Sequence, residues 1–437
     1  MRRLSTTFYL LACLGFLISI AGCAESTKQS QTTPSYPSAD TDNGGINLPQ
    51  GFGAAVVADD LGRVRHIALR DNGDIFVKLR KLTEEGTSIL GLRDSDGDGR
   101  ADEKVGFGDY TGTGIAIYQD HLYATSDTGV YRYSFAGDAL MPNQQREDIV
   151  TGFPRQGQHA NKAIAFDDAG HLYVDIGGPS NACQEKARSP KSPGLDPCPQ
   201  REWAASVWQF DASKAGQTLQ EDGVKYATGI RNAVAIDWSS AWNSLFIAQH
   251  GRDDIYRLWP QFYKESDNAE LPAEEFLKVS EGDDFGWPYC YYDHFQNQKM
   301  LAPEYGGDGK EQGRCEGIKE PAMAFPAHWA PNDLLFYTGD QFPAHYKNGA
   351  FIAFHGSWNR APQEQQGYKV VFIPFTNGKP SGEFEEFAVG FPGIEEVKSP
   401  GDALHRPMGL AQGPDGSLYI TDSVTGKIWR IIYYGNA

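Results

Sequence analysis

Several signatures of common enzyme classes are missing from this 437-residue chain. No complete G-x-G-x-x-G follows a strand-like run, because Gly112-Thr113-Gly114 lacks its third glycine. A dinucleotide-binding fold is therefore disfavoured. Neither a G-x-S-x-G elbow nor an H-E-x-x-H helix occurs, which speaks against α/β hydrolases and zincins. The 6 cysteines include no C-x-x-C pair, so a structural zinc site has no framework. Basic residues are outnumbered, 39 Lys+Arg against 57 Asp+Glu, for a formal charge of -18. Such an acidic surface repels phosphate backbones and argues against nucleic acid as a partner. Phe8 to Ile20 is an apolar run too short for an ordinary membrane span. What is abundant is glycine (49), proline (25) and aromatic residues (12%). With only 5 methionines and no long leucine runs, that composition suggests many short strands and turns.

The first residues read as an export signal. Arg2 and Arg3 precede the apolar run, which ends in Ile20-Ala21-Gly22-Cys23. Small residues before a cysteine resemble the lipobox of bacterial lipoproteins. Residues 1–22 are then a signal peptide, and Cys23 is the lipidated first residue of the mature chain. A plain secretory peptide with an incidental cysteine is the alternative. Ala24 is not aspartate, so an outer-membrane anchor is expected over an inner one. The expected location is the periplasmic cell envelope, with membrane contact through the lipid only. Residues 23–45, rich in Ser, Thr, Gln and Pro, read as a flexible tether. Four cysteines remain in the body: Cys183, Cys198, Cys290 and Cys315. An even number in an oxidising compartment suggests disulfides, with three pairings open. The short-loop pairing is the simplest.

Residues 46–437 repeat. An apolar strand, an Asp/Asn/Gly turn and a second strand of Leu-Tyr-Val type recur from His66, Gly114, Ala163, Ala233, Leu334 and Gly409. Strand-built repeats of roughly 40–50 residues read as propeller blades. The expected fold is all-β: a six-bladed β-propeller, with loops inserted after the third and fourth repeats that hold all four cysteines. Functional groups on a propeller gather on loops around the central channel, so the residues leading into each repeat are the place to look.

Asp94, Asp96, Asp98 and Asp102, with Gly99 at position 6, match an EF-hand calcium loop. Position 12 is Val105 rather than glutamate, so a structural calcium loop is expected rather than a sensor. His159 precedes the third repeat and has the chemistry of a general base. Arg231-Asn232 precedes the fourth, His250-Gly251-Arg252 follows its second strand, His355-Gly356-Ser357-Trp358-Asn359-Arg360 lies in the fifth, and His405-Arg406 precedes the sixth. Arginines converging on one place in an acidic protein suggest an anionic, carboxylated ligand.

The runs HANKAIAFDDAGHLYVDIGG, YATGIRNAVAI, QHGRDDIYRL, DFGWPYC, AFIAFHGSWNR and RPMGLAQGPDGSLYITDSVTGKIWRI resemble the glucose/sorbosone dehydrogenase family, nearest its L-sorbosone dehydrogenase-like branch. The likeness covers about Leu48 to Tyr434. Members are six-bladed quinoprotein propellers that use pyrroloquinoline quinone (PQQ) with Ca2+. The resemblance implies oxidation of an aldose or related sugar and a separate electron acceptor. It places His159 as catalytic base and Arg231 beside the developing oxyanion. Asn232 and Arg406 would hold the cofactor, and the carbonyls of Gly251 and Arg252 would bind its calcium. The family's glucose dehydrogenases carry a fifth-blade lysine that is absent here, so His355 or Arg360 is expected to take that contact, with Trp358 also at the cofactor. Thr111-Gly112-Thr113 also stands where the family has a glutamine. Two alternatives share the fold. One is a non-catalytic carbohydrate- or partner-binding lipoprotein. The other is a calcium-dependent lactonase, which would want Asp, Asn and Glu around the channel.

Overall fold

Strands covered on both faces by neighbours read as continuous apolar runs, whereas strands at a rim alternate or turn polar. That contrast organises this chain. Ile75–Leu79, Ala350–Phe354 and Leu418–Asp422 are buried at every residue. Glu103–Phe107, Glu147–Thr151 and Glu385–Ala388 begin with two exposed residues each. The former are second strands of their sheets and the latter are fourth, outer strands. The computed structural model describes residues 36–435. The expected signal peptide, Cys23 and the tether as far as residue 35 lie outside them.

Six sheets of four or five strands form the six blades among the described residues. Blades 1 and 2 start at Val64–Leu69 and Ile115–Tyr118, blades 3 and 4 at Ile164–Phe166 and Ala233–Ser239, blades 5 and 6 at Pro331–Phe336 and Pro407–Gln412. Each is an antiparallel meander through its first strands. These starts coincide with the six sequence repeats. The ring closes with a strand from the other end of the chain, as Phe52–Ala58 pairs antiparallel with Ile428–Tyr433 as the outer strand of blade 6. Part of the expected tether is structured. Asp40 pairs with Arg100 at 2.6 Å and accepts from the Val56 amide, Asn43 accepts from the Ala54 amide, and the Trp429 indole donates to Gly44.

Blades are stitched by the same device repeated. The Thr125 hydroxyl in blade 2 accepts from Gly114 N and donates to the carbonyl of Lys162, which leads into blade 3. Thr421 in blade 6 does the same with Gly409 N and the carbonyl of Arg65 in blade 1. A Cβ on Gly114 or Gly409 would lie 2.6 or 2.7 Å from those carbonyl oxygens, which is why glycine stands at both positions. Elsewhere a buried aspartate bridges blades: Asp175 accepts from Ala233, Asp237 from Phe336 and Asp333 from Leu410.

Disulfides join Cys183 to Cys198 and Cys290 to Cys315, the short-loop pairing. The first lies between the second and third strands of blade 3, the second between the third and fourth strands of blade 4. Both pack in one cluster with Trp287, Tyr289 and Leu301. The Tyr289 hydroxyl accepts from Cys198 N at 2.9 Å. The two inserted loops thereby form one stapled wall beside the channel.

Candidate functional site

Two glycines after the second strand of blade 3 make room for the site. A Cβ on Gly177 would meet the His159 Cβ at 2.8 Å, and one on Gly178 would meet the Trp287 ring at 2.7 Å. His159 itself has φ 51°, a left-handed conformation unfavourable for a side chain with a Cβ. Its Nδ1 lies 2.5 Å from the Gly178 carbonyl oxygen. A carbonyl can only accept, so the proton is on Nδ1 and Nε2 keeps its lone pair. Burial, then the nearby Arg231 charge, depress this imidazole to a pKa of about 3. It is neutral at ordinary pH, as a base must be.

Arg231 is fixed by its surroundings. Its Nε and Nη2 donate to the carbonyl and side-chain oxygens of Asn181 at 3.2 and 3.0 Å. Nη1 donates to the Gly251 carbonyl at 2.7 Å, and Nη2 also to Asp253 at 3.0 Å. Four of the five N–H groups of a guanidinium are used, leaving one on Nη1. Burial pushes the Asp253 carboxyl up, but Arg231 and Arg188 outweigh it and hold the group ionised. Arg188 reaches Asp253 at 2.6 Å from inside the Cys183–Cys198 loop, and Asn359 donates to the same carboxylate. Asn181, two residues before that loop, ties the cluster further: its Oδ1 accepts from Asp253 N and its carbonyl from the Trp287 indole.

A cavity of ≈ 250 Å³ opens over this cluster. His159, Arg231, Asn232, Gly251, His355, Trp358 and Arg406 all line it, so most of the residues singled out in the sequence meet there. Trp358 is 47% exposed at the mouth. Asn232 is buried, and its Oδ1 has no hydrogen-bond partner. Arg406 donates to the carbonyls of His355 and Gly356 at 3.0 and 2.6 Å, which leaves three N–H groups. His250 and His328 are structural, each with Nε2 on backbone carbonyls: Pro331 for one, Asn268 and Leu271 for the other. A second space of ≈ 210 Å³ adjoins the first through His355 and Arg406, and Arg63, Arg65 and Arg80 line it as well.

Other expected residues lie elsewhere. Arg360 does not line either space. It is buried in a 2.7 Å ion pair with Glu270 and donates to the Ala269 carbonyl. The Arg252 side chain is buried against Glu304. The expected carbonyl ligand on Gly251 already accepts from Arg231. Asp94, Asp96 and Asp98 bring oxygens within 4.8 Å of one another in an exposed loop between the third and fourth strands of blade 1. Asp102 is not in that group, and its carboxylate accepts from Ser95 instead.

Sequence reasoning missed Asn181, Glu274 and Arg65. Glu274 is buried, accepts from the amides of Gly251 and Ala330, and burial raises its pKa to about 7. Arg65 could have been found, since it leads into a repeat as Arg231 and Arg406 do. Asn181 carried no such signal.

The TrAA12-like family model matches residues 46–434. A pyrroloquinoline quinone-dependent pyranose dehydrogenase of Coprinopsis cinerea is 24% identical over 443 residues, covering 92% of this chain and 56% of the relative. An uncharacterised protein of Borreliella burgdorferi is 31% identical over 219 residues, half of each chain. The chain thus spans about half the length of the curated relatives it matches. Among solved structures, a family AA12 carbohydrate-active enzyme of Trichoderma reesei superposes with a TM-score of 0.72 at 18% identity, over 89% of this chain and 98% of that one. The holo PQQ domain of the Coprinopsis cinerea pyranose dehydrogenase gives 0.70 at 19%, over 91% and 98%. These likenesses bear out the propeller fold.

Proposed function

Since the chain belongs to the TrAA12-like family, we propose that it is a PQQ- and calcium-dependent dehydrogenase that oxidises an aldose or related sugar. The observation that carries this reading is His159, a neutral imidazole protonated on Nδ1 that lines one cavity with Arg231 and Arg406. The donor set suits a flat tricarboxylate. Arg231 and Arg406 retain N–H groups, Arg65 is buried with one side-chain bond, to Thr113, and the Asn232 Oδ1 is buried and unpaired. The fifth-blade contact falls to His355 and Trp358, both on the cavity wall, rather than to Arg360.

The bound group would supply a quinone carbonyl carbon that accepts hydride, polarised by calcium as Lewis acid. The protein's part is proton handling and orientation. His159 Nε2 takes the sugar hydroxyl proton, while the Gly178 carbonyl steadies the imidazolium through Nδ1–H. The remaining N–H of Arg231 is available to a developing oxyanion. Asp253 keeps that guanidinium oriented and charged. The Gly251 carbonyl retains one lone pair for calcium beside the Arg231 bond, and the Arg252 carbonyl follows it in the chain. A second, structural calcium at Asp94, Asp96 and Asp98 is part of the same reading. So are a lipid anchor at Cys23, a place in the cell envelope and a separate electron acceptor.

A lactonase needs free channel carboxylates, but Asp253 is spent on Arg188, Arg231 and Asn359. The missing lysine favours a non-catalytic sugar-binding propeller. Holo-protein assayed with aldoses and an artificial dye acceptor separates the readings. Turnover that disappears in His159→Ala supports the dehydrogenase, and full turnover in that variant refutes the assigned base.

A further inference from the structure

The space beside the main cavity has an unusual wall. Arg63, Arg65, Arg80 and Arg406 line it with His355 and Ser423, and no Asp or Glu does. None of these four arginines forms an ion pair among the described residues. Asp422 accepts from the Arg406 backbone amide and from the His405 ring, and Asp333 is bonded to the amides of Leu334 and Leu410. Arg65 and Arg406 lie deeper, where burial, then the charge of Arg80, lower both pKa values, that of Arg65 to about 9. Arg63 and Arg80 are exposed. They flank the Val64–Leu79 cross-strand pair, and Arg80 N donates to the Arg63 carbonyl at 2.9 Å. Like charges on adjacent strands repel unless an anion lies between them. In a chain of net charge -18, this cationic rim, joined to the main cavity through His355 and Arg406, is a local reversal of sign.

We propose that Arg63 and Arg80 form a carboxylate subsite, so that the substrate class is acidic sugars, hexuronates or oligosaccharides ending in one. The inference rests on the dehydrogenase reading. The deeper pair, Arg65 and Arg406, stays with the cofactor, and the exposed pair meets the substrate. Oxidation at the anomeric carbon removes one hydride, taken by the quinone, and one hydroxyl proton, taken by His159. The uronate carboxylate is unchanged by the reaction and serves only as a handle. Because the handle is charged, the rim also steers the substrate past the acidic surface.

The test compares glucuronate with glucose in holo-protein and in Arg63→Gln and Arg80→Gln, with PQQ affinity of each apo-protein measured separately by absorbance titration. Both side chains are exposed, so the variants are expected to fold. Wild type should favour glucuronate in kcat/KM, and the preference should shrink with added salt. Each variant should lose about tenfold in KM for glucuronate, the scale of one charge-assisted contact, with glucose kinetics and PQQ affinity unchanged. Equal use of both sugars by wild type would overturn the proposal. So would a fall in PQQ affinity in the variants, which would give the pair to the cofactor. Should apo-protein bind no PQQ at all, the dehydrogenase reading fails separately. Calorimetry of glucuronate with apo-protein then decides the subsite: binding lost in both variants supports it, and no binding to wild type refutes it.

Discussion

The Nδ1 of His159 faces the carbonyl oxygen of Gly178 at 2.5 Å, and that contact assigns the ring's tautomer. The role of base proposed for this residue follows from the lone pair it leaves on Nε2. His159→Ala should lower kcat by about 10²–10⁴-fold, the usual worth of a positioned general base. PQQ affinity, read by titration, should change little, because the histidine bonds to the protein through Nδ1.

The pH profile follows from the same environment. With His159 depressed to about 3, kcat/KM should show no acid limb centred near 6.5. The same shift bears on stability. The unfolded chain takes up a proton near pH 6.5 and the folded one only near pH 3. Between those values the unfolded state binds more protons, so this group's contribution is present above pH 6.5 and fades as pH falls. Denaturation of wild type and His159→Gln at pH 4.5 and 7.5 checks it, since the variant should lose less stability on acidification.

Gly177 and Gly178 admit His159 and Trp287 to the site. Gly178→Ala places a methyl 2.7 Å from the Trp287 ring, which is backed by the stapled loops and has little freedom to retreat. Overpacking of this kind costs about 1–3 kcal/mol. The variant should melt lower and lose activity by more than its folded fraction explains.

Asn181 holds two of the four bonded N–H groups of Arg231 and one backbone amide of Asp253. Asn181→Ala should cost about 1–3 kcal/mol, because it removes the side-chain acceptor of one Arg231 N–H and of the Asp253 amide in a buried cluster. It should also weaken PQQ binding, whereas a mutation of equal cost elsewhere in the core should not. Opening the Cys183–Cys198 loop, which carries Arg188 and begins two residues after Asn181, should act in the same direction. Its closure over 15 residues is worth about 3 kcal/mol by chain entropy. A Cys183→Ser/Cys198→Ser pair measured by urea denaturation and PQQ titration reads both effects.

Arg360 separates structure from chemistry. Arg360→Ala removes the donor to the Ala269 carbonyl and to a part-exposed Glu270, and should destabilise by about 1–3 kcal/mol in chemical denaturation. The protein that remains folded should bind PQQ like wild type, since this guanidinium lines no cavity.

The six first and second strands were legible because both their faces are covered and their turns are spelled in Asp, Asn and Gly. The outer strands were not. Glu103-Lys104-Val105-Gly106-Phe107 has little apolar pattern because only one residue is buried. Ring closure by Phe52–Ala58 was hidden as well, since its partner lies at the far end of the chain. Within the site, side chains carried by the repeat pattern converged as expected. The exceptions were Arg252 and Arg360, whose partners Glu304 and Glu270 are 52 and 90 residues away in sequence and give no local sign. Asn181 escaped for a similar reason, because its loop is an insertion with no counterpart in other blades.

The most direct test is an absorbance titration of calcium-equilibrated apo-protein with PQQ, followed by addition of a sugar. A saturable spectral change at one PQQ per chain is expected, and then loss of the quinone absorbance when a sugar is oxidised. Folded protein that leaves the PQQ spectrum unchanged at every concentration would contradict it.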